Sequence, residues 1–283
     1  MRKTRFLSIV FFSGWILMFF LMAGCQKSGY TDFEDLPVVE SYLFPDSSIM
    51  VKISQKIPYD TTLNLTLGDI DHLSIYITYN DQEYLLESLG EGIYIDQSGR
   101  IPVLEDSNYT LKFQYQGSSI SSSTTIPSKP HDFIASAYTI TFAQMDSANA
   151  MPPSSTSIDL SWTNSDESYY LVTIFCVDTN AVPTIKDSVP DNPVSSSMPL
   201  RGSDYELRPM MFSYFGKNRV ILSHINPEYS TFYQGWMNNT QNYQEPPTNI
   251  NNGLGIFTGI NTDTLYIQVI KESRGLPRDS LIP

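Results

Sequence analysis

The residues able to do chemistry are few and scattered. Histidine occurs only at His72, His131 and His224. No two of them have the spacing of metal ligands, and no arrangement of Cys and His suits a tetrahedral zinc site. Neighbouring carboxylates occur as Glu34/Asp35, Asp69/Asp71, Glu105/Asp106 and Asp166/Glu167. A glycosidase needs two carboxyl groups flanking one bond. These pairs instead lie beside Gly, Pro, Ser or Asn, in loop sequence where solvated acids are ordinary. No set of closely alternating acids with a Gly turn completes a calcium loop. No Gly-x-Ser-x-Gly elbow occurs to present a nucleophilic serine. The run Asn251-Asn252-Gly253-Leu254-Gly255-Ile256-Phe257-Thr258-Gly259 has glycines like those of a phosphate loop. A dinucleotide fingerprint, however, follows a strand and opens a helix. This run follows a Pro- and Asn-rich stretch and leads into a strand. Gly253 and Gly255 are therefore expected to serve tight turns and close packing, with left-handed geometry at Asn and Gly. The pattern is that of a non-enzymatic protein with no metal and no cofactor.

Two further patterns concern surfaces. Asp, then Ser or Thr, then an apolar residue or Thr recurs at Asp60-Thr61-Thr62, Asp146-Ser147-Ala148, Asp187-Ser188-Val189, Asp263-Thr264-Leu265 and Asp279-Ser280-Leu281. This resembles the O-glycosylation acceptor motif of secreted Bacteroidota proteins, which would place bulky, solubilising glycans on Thr61, Ser147, Ser188, Thr264 and Ser280. The second pattern is helical. Asn226 suits an N-cap, Pro227 the first helical position, and Glu228 the positive end of the helix dipole. Tyr229, Phe232, Tyr233, Trp236 and Met237 follow at i, i+3, i+4, i+7 and i+8, which makes one aromatic stripe. The stripe either caps the core of a second sandwich or offers Tyr229, Phe232, Tyr233 and Trp236 to a partner or a sugar. Burial separates the two.

These elements must be delivered somewhere, and the N-terminus says where. Arg2, Lys3 and Arg5 precede an apolar run over 6–22, and Ala23-Gly24 precede Cys25. A basic start, an apolar core and a small-residue exit mark a secretory signal peptide, here residues 1–24. The alternative is a transmembrane anchor, since the run approaches the ~20 residues a span needs. Ser8, Ser13 and Gly14 dilute it. Cys176 is the other cysteine, in the apolar run 169–177, and reads as a buried structural thiol. Met22-Ala23-Gly24-Cys25 resembles a bacterial lipobox, which implies a lipid on the Cys25 sulfur; Cys176 then remains as the one thiol, and no intrachain disulfide is available.

The whole chain has a formal charge of −13. Removing Arg2, Lys3 and Arg5 leaves 14 basic against 30 acidic residues, or −16. Nucleic acid is an unsuitable partner for such a surface, and anionic headgroups repel it. Membrane attachment therefore falls to the lipid.

Residues 25–35 read as a lipidated N-terminus and tether. From 36 to 126 the period is two: Leu73, Ile75, Ile77 and Tyr79 alternate with polar residues, as do Tyr109, Leu111, Phe113 and Tyr115. Alternation bounded by Asn, Asp and Gly marks antiparallel strands. Ile126-Pro127-Ser128-Lys129-Pro130 is a boundary, because two prolines cannot continue a central strand. Residues 131–273 are again β, with Ile158, Leu160 and Trp162 on one strand face, a loop over 181–203, and the short amphipathic helix near 227–238. Residues 274–283 form a tail. The expected fold is all-β, with two tandem β-sandwiches of immunoglobulin or fibronectin III type.

Met22-Ala23-Gly24-Cys25 resembles the lipobox of bacterial lipoproteins, with Met22 in the place usually held by Leu. The resemblance implies a diacylglyceryl group on the Cys25 sulfur and an acylated amine, which together anchor stably. Asn226-Pro227-Glu228-Tyr229-Ser230-Thr231-Phe232-Tyr233, then Pro247-Thr248-Asn249-Ile250-Asn251-Asn252-Gly253-Leu254-Gly255-Ile256-Phe257, resemble the ending of a Bacteroidota lipoprotein family known as domain of unknown function 4249. Pro37-Val38-Val39-Glu40-Ser41-Tyr42-Leu43 and Gly90-Glu91-Gly92-Ile93-Tyr94 agree with it. The resemblance implies an outer-membrane lipoprotein, facing the periplasm or the cell surface. It also implies an accessory role beside a SusC-like TonB-dependent receptor, binding receptor or cargo. A cell-surface glycan-binding module is the alternative.

Overall fold

A computed structural model describes residues 33–57, 68–146, 157–188, 190, 192–238 and 247–272, without the side chains of 236–238. The signal segment, Cys25, and the acceptors Thr61, Ser147 and Ser280 lie outside the described residues. In the first half the strands are β1 (Pro37–Leu43), β2 (Met50–Gln55), β3 (Tyr76–Tyr79), β4 (Gln82–Leu85), β5 (Glu87–Gly90), β6 (Ile93–Ile95), β7 (Asn108–Tyr115) and β8 (Ser118–Thr125). The second half has β9 (His131–Ala135), β10 (Thr139–Phe142), β11 (Ile158–Thr163), β12 (Tyr169–Cys176), β13 (Ser195–Ser196), β14 (Asp204–Leu207), β15 (Gly216–Ile225), helix α1 (Pro227–Asn238) and β16 (Leu254–Lys271). The chain is all-β, as its two-residue periodicity requires.

Three sheets result: one of nine strands in the order β13-β12-β15-β16-β1-β2-β6-β5 with β10 also on β16, one of four (β4-β3-β7-β8), and one of three (β14-β11-β9). The large sheet backs both smaller ones. Against the four-stranded sheet it packs Val39, Val51, Ile53, Tyr94 and Phe257 onto Ile77, Leu111, Phe113 and Ile120. Against the three-stranded sheet it packs Val172, Val220, Leu222, Leu265 and Ile267 onto Ile158, Leu160, Trp162 and Leu207.

The strand that joins these cores is β16, which is 18 residues long. Its start runs parallel to β1, from Val38↔Leu254 to Leu43↔Gly259. From Ile260 to Val269 it runs antiparallel to β15, from Ile225 to Gly216. Its end is parallel to β10. Ile250 and Phe257 thus enter the first core although they come from the C-terminal part of the chain. Fully burying a side chain such as Phe257 contributes about 1.5–3 kcal/mol, so the C-terminal strand is part of what holds the first sandwich together.

The proline linker is also held. Asn261 Nδ2 donates to the Pro127 carbonyl at 3.0 Å, and His224 Nδ1 donates to the Ser128 carbonyl at 2.8 Å. Lys129 pairs with Asp263 at 3.2 Å. Side chains of β15 and β16 therefore satisfy backbone groups that proline keeps out of a ladder. Two buried tyrosines lock loops of the first half in the manner of a tyrosine corner. The Tyr94 hydroxyl donates to the Ile70 carbonyl and accepts from the Leu73 amide, while Tyr109 does the same for Pro102 and Leu104.

Three sequence expectations change in detail. The loop over 181–203 contains β13, a bridge of Pro183 to Tyr214 and one of Leu200 to Tyr170. The glycine-rich run does not precede a strand but forms its first part, since β16 begins at Leu254. Within that run φ is positive at Asn252 (57°) and Gly255 (97°) and not at Gly253. Gly255 is the residue whose Cβ would overlap the Val39 carbonyl oxygen across the parallel ladder.

Candidate functional site

The candidate site forms where α1 crosses the large sheet on the face turned away from both sandwich cores. The stripe expected to cap the second core packs elsewhere. Tyr229 and Tyr233 join Leu171, Ile225 and Ile260, with Tyr42 and Tyr169, in a third and separate cluster. The reason is strand alternation. Inward residues of β12, β15 and β16 belong to the second core. Leu171, Ile225 and Ile260 alternate with them and project from the opposite face. Tyr42 reaches the same face from β1, so α1 covers the seam between the two halves.

A polar staple sets the helix there. Glu228 Oε1 accepts from Thr124 Oγ1 at 3.0 Å and Thr258 Oγ1 at 3.1 Å. Thr258 is fully buried and Thr124 nearly so. Thr124 Oγ1 also accepts from the Gly259 amide at 3.0 Å. The Asn226 side-chain amide donates sideways to Thr124 Oγ1 (3.1 Å) and the Thr125 carbonyl (2.8 Å), while the backbone carbonyl of Asn226 accepts from the Ser230 amide. The sequence places Asn226 and Glu228 correctly at the helix start. Their side chains tie α1 to β8 and β16.

Beside the stapled helix lies a cleft of about 400 Å³, walled by Val38, Glu40 and Tyr42 on β1, Gly255 and Ile256 on β16, and Tyr229, Phe232 and Tyr233 on α1. The rings of Tyr42 and Tyr229 meet edge-to-face at 5.9 Å and 80°, and those of Tyr229 and Tyr233 are tilted at 6.2 Å and 36°. All three tyrosines are half-buried. Burial pushes the Tyr42 phenol up to about 12, helped by the negative charge of Glu40 and by Tyr229. Burial also raises Tyr229, with Tyr233 adding to the effect. These phenols therefore stay neutral hydrogen-bonding groups through the physiological range. The cleft offers ring faces, ring edges, hydroxyls and one exposed carboxylate, Glu40, which is the equipment of a binding site. A smaller cavity of about 240 Å³ adjoins Phe232 on its other side, beside Glu228, Pro247 and Asn249. A shallow hollow of about 480 Å³ over the β3–β7–β8 sheet, near His72 and Lys112, has larger volume and is lined by Tyr76 and Phe113 among mostly polar residues.

Of the stripe named from sequence, Tyr229, Phe232 and Tyr233 are brought together here, while the side chain of Trp236 lies outside the described residues. Sequence reasoning missed Val38, Glu40 and Tyr42. A signal for them existed: β1 buries Val39, Ser41 and Leu43, yet Val38 and Tyr42 on its other face are large and apolar and half-covered. Apolar residues on both faces of an alternating strand mean that both faces are covered.

The remaining chemistry-bearing residues are dispersed. Asp69 accepts the Asp71 amide at 2.8 Å and His72 Nδ1 at 2.6 Å, and these contacts hold its carboxyl below the usual carboxylate range. Asp71 accepts the Gly92 amide. Asp166 is likewise lowered, by Ser168. These acids serve turns. His131 is exposed on β9, and His224 is buried with its ring stacked on Tyr170. Cys176, expected to be buried, is only partly so, and that burial raises its thiol, which suits a structural and unreactive sulfur. Ser188 lies half-buried in a loop, and Thr264 sits half-buried within the β15–β16 ladder opposite Ile221. Asn249 hydrogen-bonds both the amide and the carbonyl of Phe257, and Asn251 pairs with Ser121. The Asn- and Gly-rich run thus closes the open edges of β8 and β16. Among the described residues no helix is long and apolar enough to cross a membrane.

No curated protein matches the sequence. A family model does match, over residues 27–265, so that the first sandwich core, most of the second, the helix and most of β16 fall within it. The chain belongs to the family described as Domain of unknown function (DUF4249).

Proposed function

We propose that this protein is a lipid-anchored, non-enzymatic binding protein of the outer membrane that assists a SusC-like TonB-dependent receptor, engaging receptor or cargo with the face that carries α1. The observation that supports it best is the aromatic cleft between α1 and β1, which lies outside both sandwich cores and is held by the Glu228 staple. Here the rings of Tyr42, Tyr229 and Tyr233 stay half-open around free volume. The lipobox resemblance at Cys25 supports the anchor, and the acidic surface supports a tether that relies on lipid alone. The test is affinity capture of the full chain from native membranes. An outer-membrane receptor should co-purify with wild type and be depleted with Phe232→Ala. Capture without any such receptor, or capture indifferent to the substitution, overturns the reading.

A glycan-binding module is the second reading. It is favoured by the same half-buried tyrosines, which a wholly internal stripe would have removed. Saturable binding of an oligosaccharide, lost in Tyr233→Ala, would select it over the receptor role.

A further inference from the structure

We propose that the cleft between α1 and β1 is an aromatic cage for a small organic cation, either an alkylated ammonium group or the side chain of a partner's lysine. The inference rests on the reading of this cleft as a binding site and names its ligand class. Sugar-stacking platforms present rings roughly side by side and open to solvent. These rings are only half-open. Tyr42 and Tyr229 stand at 80° to each other, and Tyr229 and Tyr233 at 36°, so rings lying in different planes line one space of about 400 Å³. Phe232 adds a fourth ring to the lining. An aromatic ring attracts a positive group to its face through its quadrupole, and partial burial strengthens the attraction because less water screens it.

The charge at the rim agrees. Glu40 lines the cleft, is exposed, and forms no ion pair among the described residues. Lys52 stands opposite it across the β1–β2 ladder, also exposed and likewise unpaired. A ligand cation therefore meets one carboxylate at the mouth and competes with one neighbouring ammonium. None of the hydroxyls of Tyr42, Tyr229 and Tyr233 donates to a protein acceptor among the described residues. The protein's net charge of −13 draws cations towards it in general. The orientation of the rings and Glu40 supplies the local selectivity.

The test uses the full-length lipidated chain in a non-ionic polyoxyethylene detergent, with ligand-observed NMR titrations of three probes. Choline and 3,3-dimethylbutanol have nearly the same shape and differ in charge. N-acetyl-lysine methylamide stands for a partner's side chain. Saturable binding of a cation, at least tenfold tighter than the neutral alcohol, is expected. Tighter binding of choline points to a free ammonium ligand, and tighter binding of the lysine derivative to a protein partner. Glu40→Gln should weaken cation binding several-fold, while Lys52→Gln should tighten it. Both residues are exposed, so neither change threatens the fold. Tyr229→Phe keeps the ring and should retain binding, whereas Tyr42→Leu should lose it with the thermal melt as the folding control. Equal binding of the alcohol, or no saturable cation binding, overturns the cage. Receptor capture lost in Phe232→Ala would then still stand by itself, so failure of the cage and failure of the receptor reading are told apart.

Discussion

Replacing Gly255 by Ala probes the joint between the two halves. Gly255 has φ +97°, a region that an L side chain rarely adopts. A Cβ there would overlap the Val39 carbonyl oxygen and approach the Val39 amide nitrogen to 3.0 Å, both backbone atoms of a fully buried strand residue. Two costs follow. Holding a non-glycine residue at such a φ costs roughly 1–3 kcal/mol, and forcing an extra carbon into packed backbone costs typically about 1–3 kcal/mol more. The sum is on the order of 3 kcal/mol or above, which for a chain of this size lowers the melting temperature by roughly 6–12 °C. Two companion substitutions separate the terms. Gly117 has φ +83° with nothing within 4 Å of its would-be Cβ, so Gly117→Ala reports the conformational part alone, about 1 kcal/mol. Gly253 lacks a positive φ, and its Cβ would meet Ile250 Cγ2 at 3.0 Å and the Pro37 carbonyl at 3.1 Å. Gly253→Ala should therefore cost less than Gly255→Ala. Differential scanning calorimetry measures all three. A Gly255→Ala protein as stable as Gly117→Ala would refute the clash argument. A rise in melting temperature with added ATP or NAD, lost in Gly253→Ala, would refute the structural role of the whole run.

Three other outcomes are expected. Glu228→Ala leaves the buried Thr124 and Thr258 hydroxyls without their acceptor, at about 1–3 kcal/mol for buried groups of this kind; hydrogen exchange should show α1 amides opening faster while β7 and β8 keep their protection, and unchanged α1 exchange would contradict the staple. Because the Tyr42 phenol is raised from 10.0 to about 12 in the folded protein, its contribution to stability is complete below pH 10 and lost as pH climbs through about 12; melts over that window should fall more steeply for wild type than for Tyr42→Phe. Cys25→Ala should move the protein from the membrane to the soluble fraction, and membrane retention would defeat the lipid-tether proposal.

Much of this architecture was legible in the chain because strand alternation and helix start signals are local. Ile158, Leu160 and Trp162 point inward from β11, and Tyr109, Leu111, Phe113 and Tyr115 point inward from β7, as a period of two demands. The helix over 227–238 follows from Asn226-Pro227-Glu228 and the i, i+3, i+4 aromatic spacing, both readable within a dozen residues. What local pattern cannot carry is which strand neighbours which. That β16 would pair with β1 at one end, across more than 200 residues, and with β15 and β10 further along depends on contacts distant in sequence, and nothing in the run 254–271 announces three partners. The same distance hid the site. The stripe of α1 is visible in sequence, but its seat is not, because a helix periodicity states only that one face is apolar. Tertiary pairing brought Glu40 and Tyr42 beside it, placed Thr124 and Thr258 under Glu228, and so turned an expected core cap into a cleft on the opposite face of the sheet.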